Sequence, residues 1–275
     1  MASTVLITGC SSGIGAAAVQ HFAAQGWNVA ATLRNPASAH FEDGAGKVAT
    51  FALDVTDQKS VEAAVAQAVE RFGQIDVLIN NAGYGLFGPF ESATPEVIER
   101  QFQTNVFGVF AVTRAVLPHM RERASGVIIN VASLTGLVAM PLYSLYAASK
   151  FAVVGFSESL SYELAPLGIR VKVFAPGAVA TDFSGRSLVR TFEGDGGPYA
   201  DSIRKVMAVF AANRGTSNAS TAEQLAQALY AAATDGSGQV RYVVGEDAKA
   251  LMQARKDIGE EALMGAMRQR FGLGA

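Results

Sequence analysis

The chain is poor in the residues that staple, ligate or steer. It holds one cysteine, Cys10, so no internal disulfide can form, and that usage fits a reducing compartment, with the cytoplasm as the expected location. Histidine is scarce too: His21, His40 and His119 are the whole supply, all in the first half, and no metal site is read. Charge is sparse and balanced. With 22 basic against 24 acidic residues and a net charge of −2, nothing draws the chain to nucleic acid or an anionic membrane. No apolar run approaches the roughly 18 to 20 residues of a membrane span. The opening "MASTVLITG" has no basic leader before strand-like sequence begins, so no signal peptide is expected.

Apolar residues are plentiful: 50% hydrophobic against 17% charged describes a compact globule. Short apolar runs recur at 4–8, 28–33, 47–55, 76–80, 126–133, 169–176 and 240–244, with helix-length segments between most of them. In 57–72 the apolar residues Val61, Val65, Val69 and Phe72 recur at helical spacing. Strands alternating with helices imply right-handed crossovers and a parallel sheet covered on both faces. The expected fold is therefore α/β: a single Rossmann-type doubly wound domain, with about seven parallel strands ordered 3-2-1-4-5-6-7. Residues 1–245 form its body. A glycine-rich stretch at 183–200 reads as a mobile loop, and 246–275 as a helical extension of the same domain, with helices over 246–256 and 259–270.

The first strand runs into "TGCSSGIG", residues 8–15. Gly9, Gly13 and Gly15 let the backbone turn sharply and approach a pyrophosphate, while the next helix offers free N–H groups through Ser11, Ser12 and Ile14. The same letters contain Gly9-Cys10-Ser11-Ser12-Gly13, the spacing of a hydrolase nucleophile elbow. That reading fails on its partners, because no histidine stands late in the chain to serve as base. A ligand-free tight turn is the remaining bland reading.

In order and spacing, several short strings together resemble the short-chain dehydrogenase/reductase family over residues 3 to about 245. They are "TGCSSGIG", "LDV" (53–55), "NNAG" (80–83), Asn105 in "TNVFG", Ser133 in "VAS", "YAASK" (146–150) and "PGAVAT" (176–181). The resemblance implies a nicotinamide dinucleotide, with Asp54 and Val55 at the adenine and Asn81, Ala82 and Gly83 passing close to the cofactor. It puts Pro176, Gly177, Val179 and Thr181 at the nicotinamide carboxamide and diphosphate. A strand-end acid such as Asp54 can equally serve a turn or a helix cap. At the end of the second strand, "ATLRN" has no acid to accept from a ribose hydroxyl. Leu33 stands in the acid's place and Arg34 offers a planar charged donor for a 2′-phosphate, so NADP(H) is expected over NAD(H), as in the hydroxysteroid dehydrogenase branch. An ordinary solvated arginine is the alternative.

Carbonyl reduction also needs a proton source and a group to orient the oxygen. "LYSLYAASK" offers two tyrosines and one lysine. On a helix Tyr146 shares a face with Lys150 at i+4, whereas Tyr143 has Ala147 there, so Tyr146 is the expected acid/base. A tyrosine in that role needs its pKa drawn down by about three units, to which a nearby ammonium and an oxidised nicotinamide contribute. Ser133 would bind the substrate oxygen, Lys150 also the nicotinamide ribose, and Asn105 is similar to the family residue that orients a relay water. Leu134, Leu137, Met140, Tyr143, Phe183 and Leu188 are the expected substrate pocket, with Tyr84 and Phe87 as weaker candidates. The expected activity interconverts a ketone or aldehyde and its alcohol. The alternative is a cofactor-binding regulator that has lost the chemistry. The outer faces of helices 105–123 and 146–166 imply a homodimer or homotetramer.

Overall fold

A computed structural model describes residues 2–38, 41, 47–179, 188–213 and 219–274. Seven strands form one parallel sheet: β1 (Thr4–Thr8), β2 (Asn28–Leu33), β3 (Val48–Ala52), β4 (Val77–Asn80), β6 (Gly126–Val131), β7 (Ile169–Pro176) and β9 (Arg241–Val244). Their order, β3-β2-β1-β4-β6-β7-β9, is the doubly wound order expected from the sequence once the short pair β5 (Gly85–Phe87) and β8 (Leu188–Arg190) is set apart.

The central strands β1, β4 and β6 are mostly apolar and buried throughout because both faces of the sheet are covered there. Alternation divides each run between two layers. Val5 and Ile7 of β1, Val77 and Ile79 of β4, and Val127 and Ile129 of β6 pack with α1 (Gly13–Ala24) and α7 (Ala222–Thr234). The intervening Leu6, Leu78 and Ile128 pack on the other side with α2 (Gln58–Phe72), α4 (Gly108–Glu122) and α5 (Ser144–Leu164). β1 has β2 on one flank and β4 on the other, so the two halves of the sheet wind apart from it. Their carboxyl ends open a crevice there, the usual ligand position in such sheets.

Local signals set the element ends. α2 starts at Asp57, whose side chain accepts the Lys59 N–H, and stops at Gly73 in the left-handed conformation. α3 (Pro95–Phe102) begins behind a Thr94 cap with Pro95 in its first turn. The helix expected over 105–123 departs from ordinary winding at its start: Gln103–Phe107 is a π turn, and α4 proper begins at Gly108. The stretch expected as a loop at 183–200 is partly ordered. Its residues 183–187 lie outside the described set, but β8 pairs in parallel with β5, and α6 (Ala200–Asn213) follows. Beyond β9 stand α8 (Glu246–Ile258) and α9 (Glu260–Phe271), close to the two helices expected. Among the described residues no helix is long and apolar enough to cross a membrane.

Candidate active site

The turn after β1 is held open by three glycines and braced from behind. Gly9 and Gly13 have φ of +73° and +58°, a region that favours glycine. A Cβ on Gly15 would lie 2.3 Å from Gly9 O and 2.6 Å from Asn81 Nδ2. Asn81 Nδ2 donates to Thr8 O at 2.9 Å and Gly9 O at 3.1 Å, while Thr8 Oγ1 accepts the N–H groups of Asn81 and Ala82. Asn81 thus spends its amide on fixing the loop. Thr8, quoted in the motif and given no role, is the second brace. A Cβ on Gly13 would meet nothing within 4 Å, and Ser12 makes no side-chain cap bond to α1. The first turn of α1 carries no acid to occupy its N-terminus. An anionic diphosphate therefore fits this cradle on its shape and on its free donors. Gly15→Ala is expected to raise the cofactor KM at least 10-fold and to cost about 1–3 kcal/mol, since both atoms facing the new methyl are tied down. Cofactor titration and a thermal melt would check it.

Beyond β2 the chain separates an inward from an outward residue. Leu33 is buried and Arg34 is exposed. Desolvation opposes the charge of Asp54, but hydrogen bonds from Thr56 hold its carboxyl below the usual range, with a smaller contribution from the Arg34 guanidinium. Asp54 Oδ1 accepts from Thr56 N at 2.9 Å and Thr56 Oγ1 at 2.7 Å, so one carboxylate oxygen is committed to the turn. Val55 packs against the start of α4, where a Cβ on Gly108 would come within 2.8 Å of its side chain.

The catalytic candidates converge at the ends of β6 and α5. Tyr146 and Lys150, one turn apart on α5, are both buried. Lys150 Nζ donates to Val131 O at 2.8 Å, at the last residue of β6, and lies 5.8 Å from the centre of the Tyr146 ring. Ser133, two residues beyond β6, accepts the Thr135 N–H at 3.1 Å and also hydrogen-bonds Tyr146. Burial dominates the electrostatics. It pushes the Tyr146 phenol up to about 12 against the lowering effect of the Ser133 bond, and it brings Lys150 down to about 8. Desolvation, with a smaller contribution from the neighbouring Tyr143, keeps the phenol in its protonated form.

Asn105 is buried in the π turn. Its Oδ1 accepts the Tyr84 N–H at 3.1 Å, and its Nδ2 donates to Tyr84 O at 2.9 Å and Ser149 Oγ at 3.2 Å. Ser149 in turn donates to Tyr146 O. Gln101, fully buried, reaches the same Tyr84 O at 3.1 Å. Sequence reading gave Gln101 and Ser149 no role. Gln101 and Asn105 stand four residues apart and meet one acceptor that comes from the distant Tyr84 backbone, while Ser149 was visible inside "YAASK". Gly83 faces this cluster: a Cβ there would lie 3.0 Å from Asn105 Oδ1 and 3.7 Å from Lys150 Nζ.

After β7, Gly177 N donates to Val244 O at 2.8 Å, and Val179 bridges to Ser220. Pro176 is the last residue of β7. Thr181 and Phe183 lie outside the described residues. Of the other expected pocket residues, Leu134, Met140, Tyr143 and Leu188 meet in one apolar cluster with Phe87, Phe192 and Phe210, joined by Leu263, Met267 and Phe271 of α9. Tyr143 links Tyr146 to that cluster, its ring centre 6.0 Å from Tyr146, 5.1 Å from Phe87 and 5.8 Å from Phe210. Leu137 is the exception. It packs with Val109, Val153 and Val173 in a separate apolar cluster.

Known proteins agree with this geometry. Residues 3–189 match the family model for short chain dehydrogenase. The chain is 41% identical over 205 residues to a 3-ketodihydrosphingosine reductase of Bacteroides thetaiotaomicron, covering 74% of each chain. A short-chain dehydrogenase of known structure from Streptomyces avermitilis superposes with a TM-score of 0.83 at 32% identity, over 99% of this chain and 98% of that one. Two further solved structures are similar along 89% and 88% of this chain and 96% of each of theirs. One is ElxO with NADP bound, at 27% identity and a TM-score of 0.72. The other is a 3-ketoacyl-(acyl-carrier-protein) reductase of Brucella melitensis complexed with NADH, at 31% and 0.73. With a glycine cradle at the switch of the sheet and a buried Tyr146–Lys150 pair beside Ser133, this chain belongs to the short-chain dehydrogenase/reductase family of nicotinamide-dependent oxidoreductases that act on carbonyl and alcohol groups.

Proposed function

We propose that the chain is an NADP(H)-dependent reductase of ketones or aldehydes with an apolar flank, working reversibly on the alcohols, with Tyr146 as its acid/base. The observation that carries this reading is the burial of Tyr146 and Lys150 side by side, with the Ser133 hydroxyl on the phenol. Water-excluded charge and hydroxyl groups of this kind serve a proton transfer better than a packed interior, which would favour apolar side chains.

When bound, the cofactor supplies a hydride to the carbonyl carbon. The protein's part is binding, orientation and proton transfer. Gly9, Ser11, Ser12, Gly13, Ile14 and Gly15 would hold the diphosphate. Arg34 would meet the adenosine 2′-phosphate, and Val55 with the uncommitted Oδ2 of Asp54 the adenine. Ala82 and Gly83, with the backbone of Asn81, would pass beneath the ribose. Pro176, Gly177, Val179 and Thr181 would take the nicotinamide end. Ser133 orients the substrate oxygen, Tyr146 gives its phenolic proton to the forming alkoxide, and Lys150 holds the ribose and favours the resulting phenolate. Asn105 keeps the π turn and Tyr84 in register behind them. The regulator alternative would leave the buried pair without a use.

The apolar flank is read from the aromatic wall that runs from Tyr146 through Tyr143 to Phe87 and Phe210. Residues 246–275 belong to the same domain on this reading, since α9 completes that wall. Exposed Phe107, at the end of the π turn before α4, and exposed Phe151 and Tyr162 on α5 favour a homo-oligomer through those faces. The single buried Cys10 suits the cytoplasm.

A panel of aryl and long-chain ketones, aldehydes and secondary alcohols, run with NADPH and with NADH, tests the function. No turnover with either cofactor would sink it. Arg34→Ala is expected to raise the KM for NADPH by about 10- to 100-fold, the worth of a charge-assisted bond, and to leave NADH within about twofold. A wild-type preference for NADH that this change does not touch would overturn the cofactor assignment.

A further inference from the structure

Asp247 lies in the first turn of α8, in the extension beyond β9, and reaches back to the segment that leaves β7. Its Oδ2 accepts the Ala178 N–H at 2.7 Å. Its Oδ1 is buried and has no hydrogen-bond partner among the described residues. Two glycines make room for this carboxylate. A Cβ on Gly177 would lie 2.2 Å from Oδ1 and 2.5 Å from Oδ2, and one on Gly245, whose φ is +103°, would lie 2.7 Å from Oδ1.

The rest of the segment is held by neutral backbone bonds. Gly177 N donates to Val244 O at 2.8 Å, and Ala178 O accepts from Ser220 N at 3.0 Å. Only the Ala178 N–H is given a carboxylate. For folding alone a carbonyl would serve, without the cost of an orphaned carboxylate oxygen. What a charged acceptor adds is stiffness, because a charge-assisted bond is about twice as strong as a neutral one. A segment needs that stiffness when it must keep its shape against a ligand.

We propose that Asp247 is a positioning residue, which holds the Gly177–Val179 backbone in the form that receives the nicotinamide end of the cofactor. The inference rests on the nicotinamide reading of residues 176–181 and deepens it: the C-terminal extension sets how firmly that end is gripped. Asp247 itself touches no reacting atom. Its influence passes through the Ala178 amide.

The test compares two ligands by calorimetric titration: NADP⁺, and 2′-phospho-ADP-ribose, which has the same diphosphate but no nicotinamide. Asp247→Ala is expected to weaken NADP⁺ about 10-fold and the fragment less than twofold. Asp247→Asn, which keeps an acceptor but not the charge, should recover only part of the loss, because a neutral bond is about half as strong. A merely structural role would move both ligands alike or neither, and either result overturns the proposal. Should Asp247→Ala fail to fold, Asp247→Glu, which displaces the charge by one methylene, is read by the same rule. If the wild type binds NAD⁺ instead, the comparison runs with NAD⁺ and ADP-ribose. If it binds no dinucleotide, the proposed function falls and this inference with it. Binding without the selective loss removes only the role of Asp247.

Discussion

Tyr146→Phe is expected to lower kcat for carbonyl reduction by about 100- to 10,000-fold, the usual contribution of a positioned general acid. The substitution removes one oxygen and leaves the ring that stands between Lys150 and Tyr143. Folding should change by only about 1 kcal/mol, the worth of the bond to Ser133. Cofactor affinity should stay within a few-fold. The environment gives the phenol a direction. At neutral pH a group pushed up to about 12 is fully protonated, so it stands ready to donate during reduction. Abstracting a proton from an alcohol requires the phenolate, which burial opposes; the reverse reaction should therefore gain rate as pH rises, and reduction should not. Turnover in both directions from pH 6 to 10, with melting temperatures of both proteins, checks this. A Tyr146→Phe protein that keeps a tenth of wild-type kcat would exclude Tyr146 as the acid.

Lys150→Met should have effects of opposite sign on activity and stability. Turnover is expected to drop at least 100-fold, and cofactor KM to rise, because the cation behind Tyr146 and its ribose contact are both lost. Stability at pH 7 should increase. Burial lowers the lysine from 10.5 to about 8, a desolvation cost of about 3 kcal/mol at ~1.4 kcal/mol per unit. Losing the bond to Val131 O returns about 1 kcal/mol, which leaves a net gain on the order of 1–3 kcal/mol. The pH dependence carries the same signature. Between pH 8 and 10.5 the folded wild type has released a proton that the unfolded chain still holds, so wild-type stability should rise across that window. Tyr146 acts the other way: above about pH 10 the unfolded phenol ionises while the buried one does not, and stability falls toward pH 12. Lys150→Met should lose the rise and keep the fall. Denaturant melts at pH 7, 9 and 10.5 separate the two.

The strands were legible because most are short runs rich in apolar residues, a consequence of a sheet covered on both faces. Most helices were legible from apolar spacing, as at Val61, Val65, Val69 and Phe72. The pair β5 and β8 was not. Three-residue strands have no periodicity to detect, and this pair exists only because residues 188–190 are carried across to meet 85–87. Tyr146, Lys150 and Ser133 came from the sequence because the first two are one helical turn apart and the third ends a strand. An apolar side chain after a strand looks the same in sequence whether it faces a substrate or the core, so the separation of Leu137 from the cluster that holds Leu134 and Tyr143 was not legible.

By itself, then, the sequence determined the layered fold, the glycine turn after β1 and which residues form the candidate catalytic group, all of which depend on local spacing and on burial. Only the tertiary structure decided the electrostatic state of that group and its support. Burial raises the Tyr146 phenol, Gln101 and Asn105 converge on the Tyr84 carbonyl, and α8 brings Asp247 to Ala178 across 69 residues of chain. Desolvation and long-range hydrogen bonds depend on which atoms surround a side chain in space, and no window of sequence contains that information.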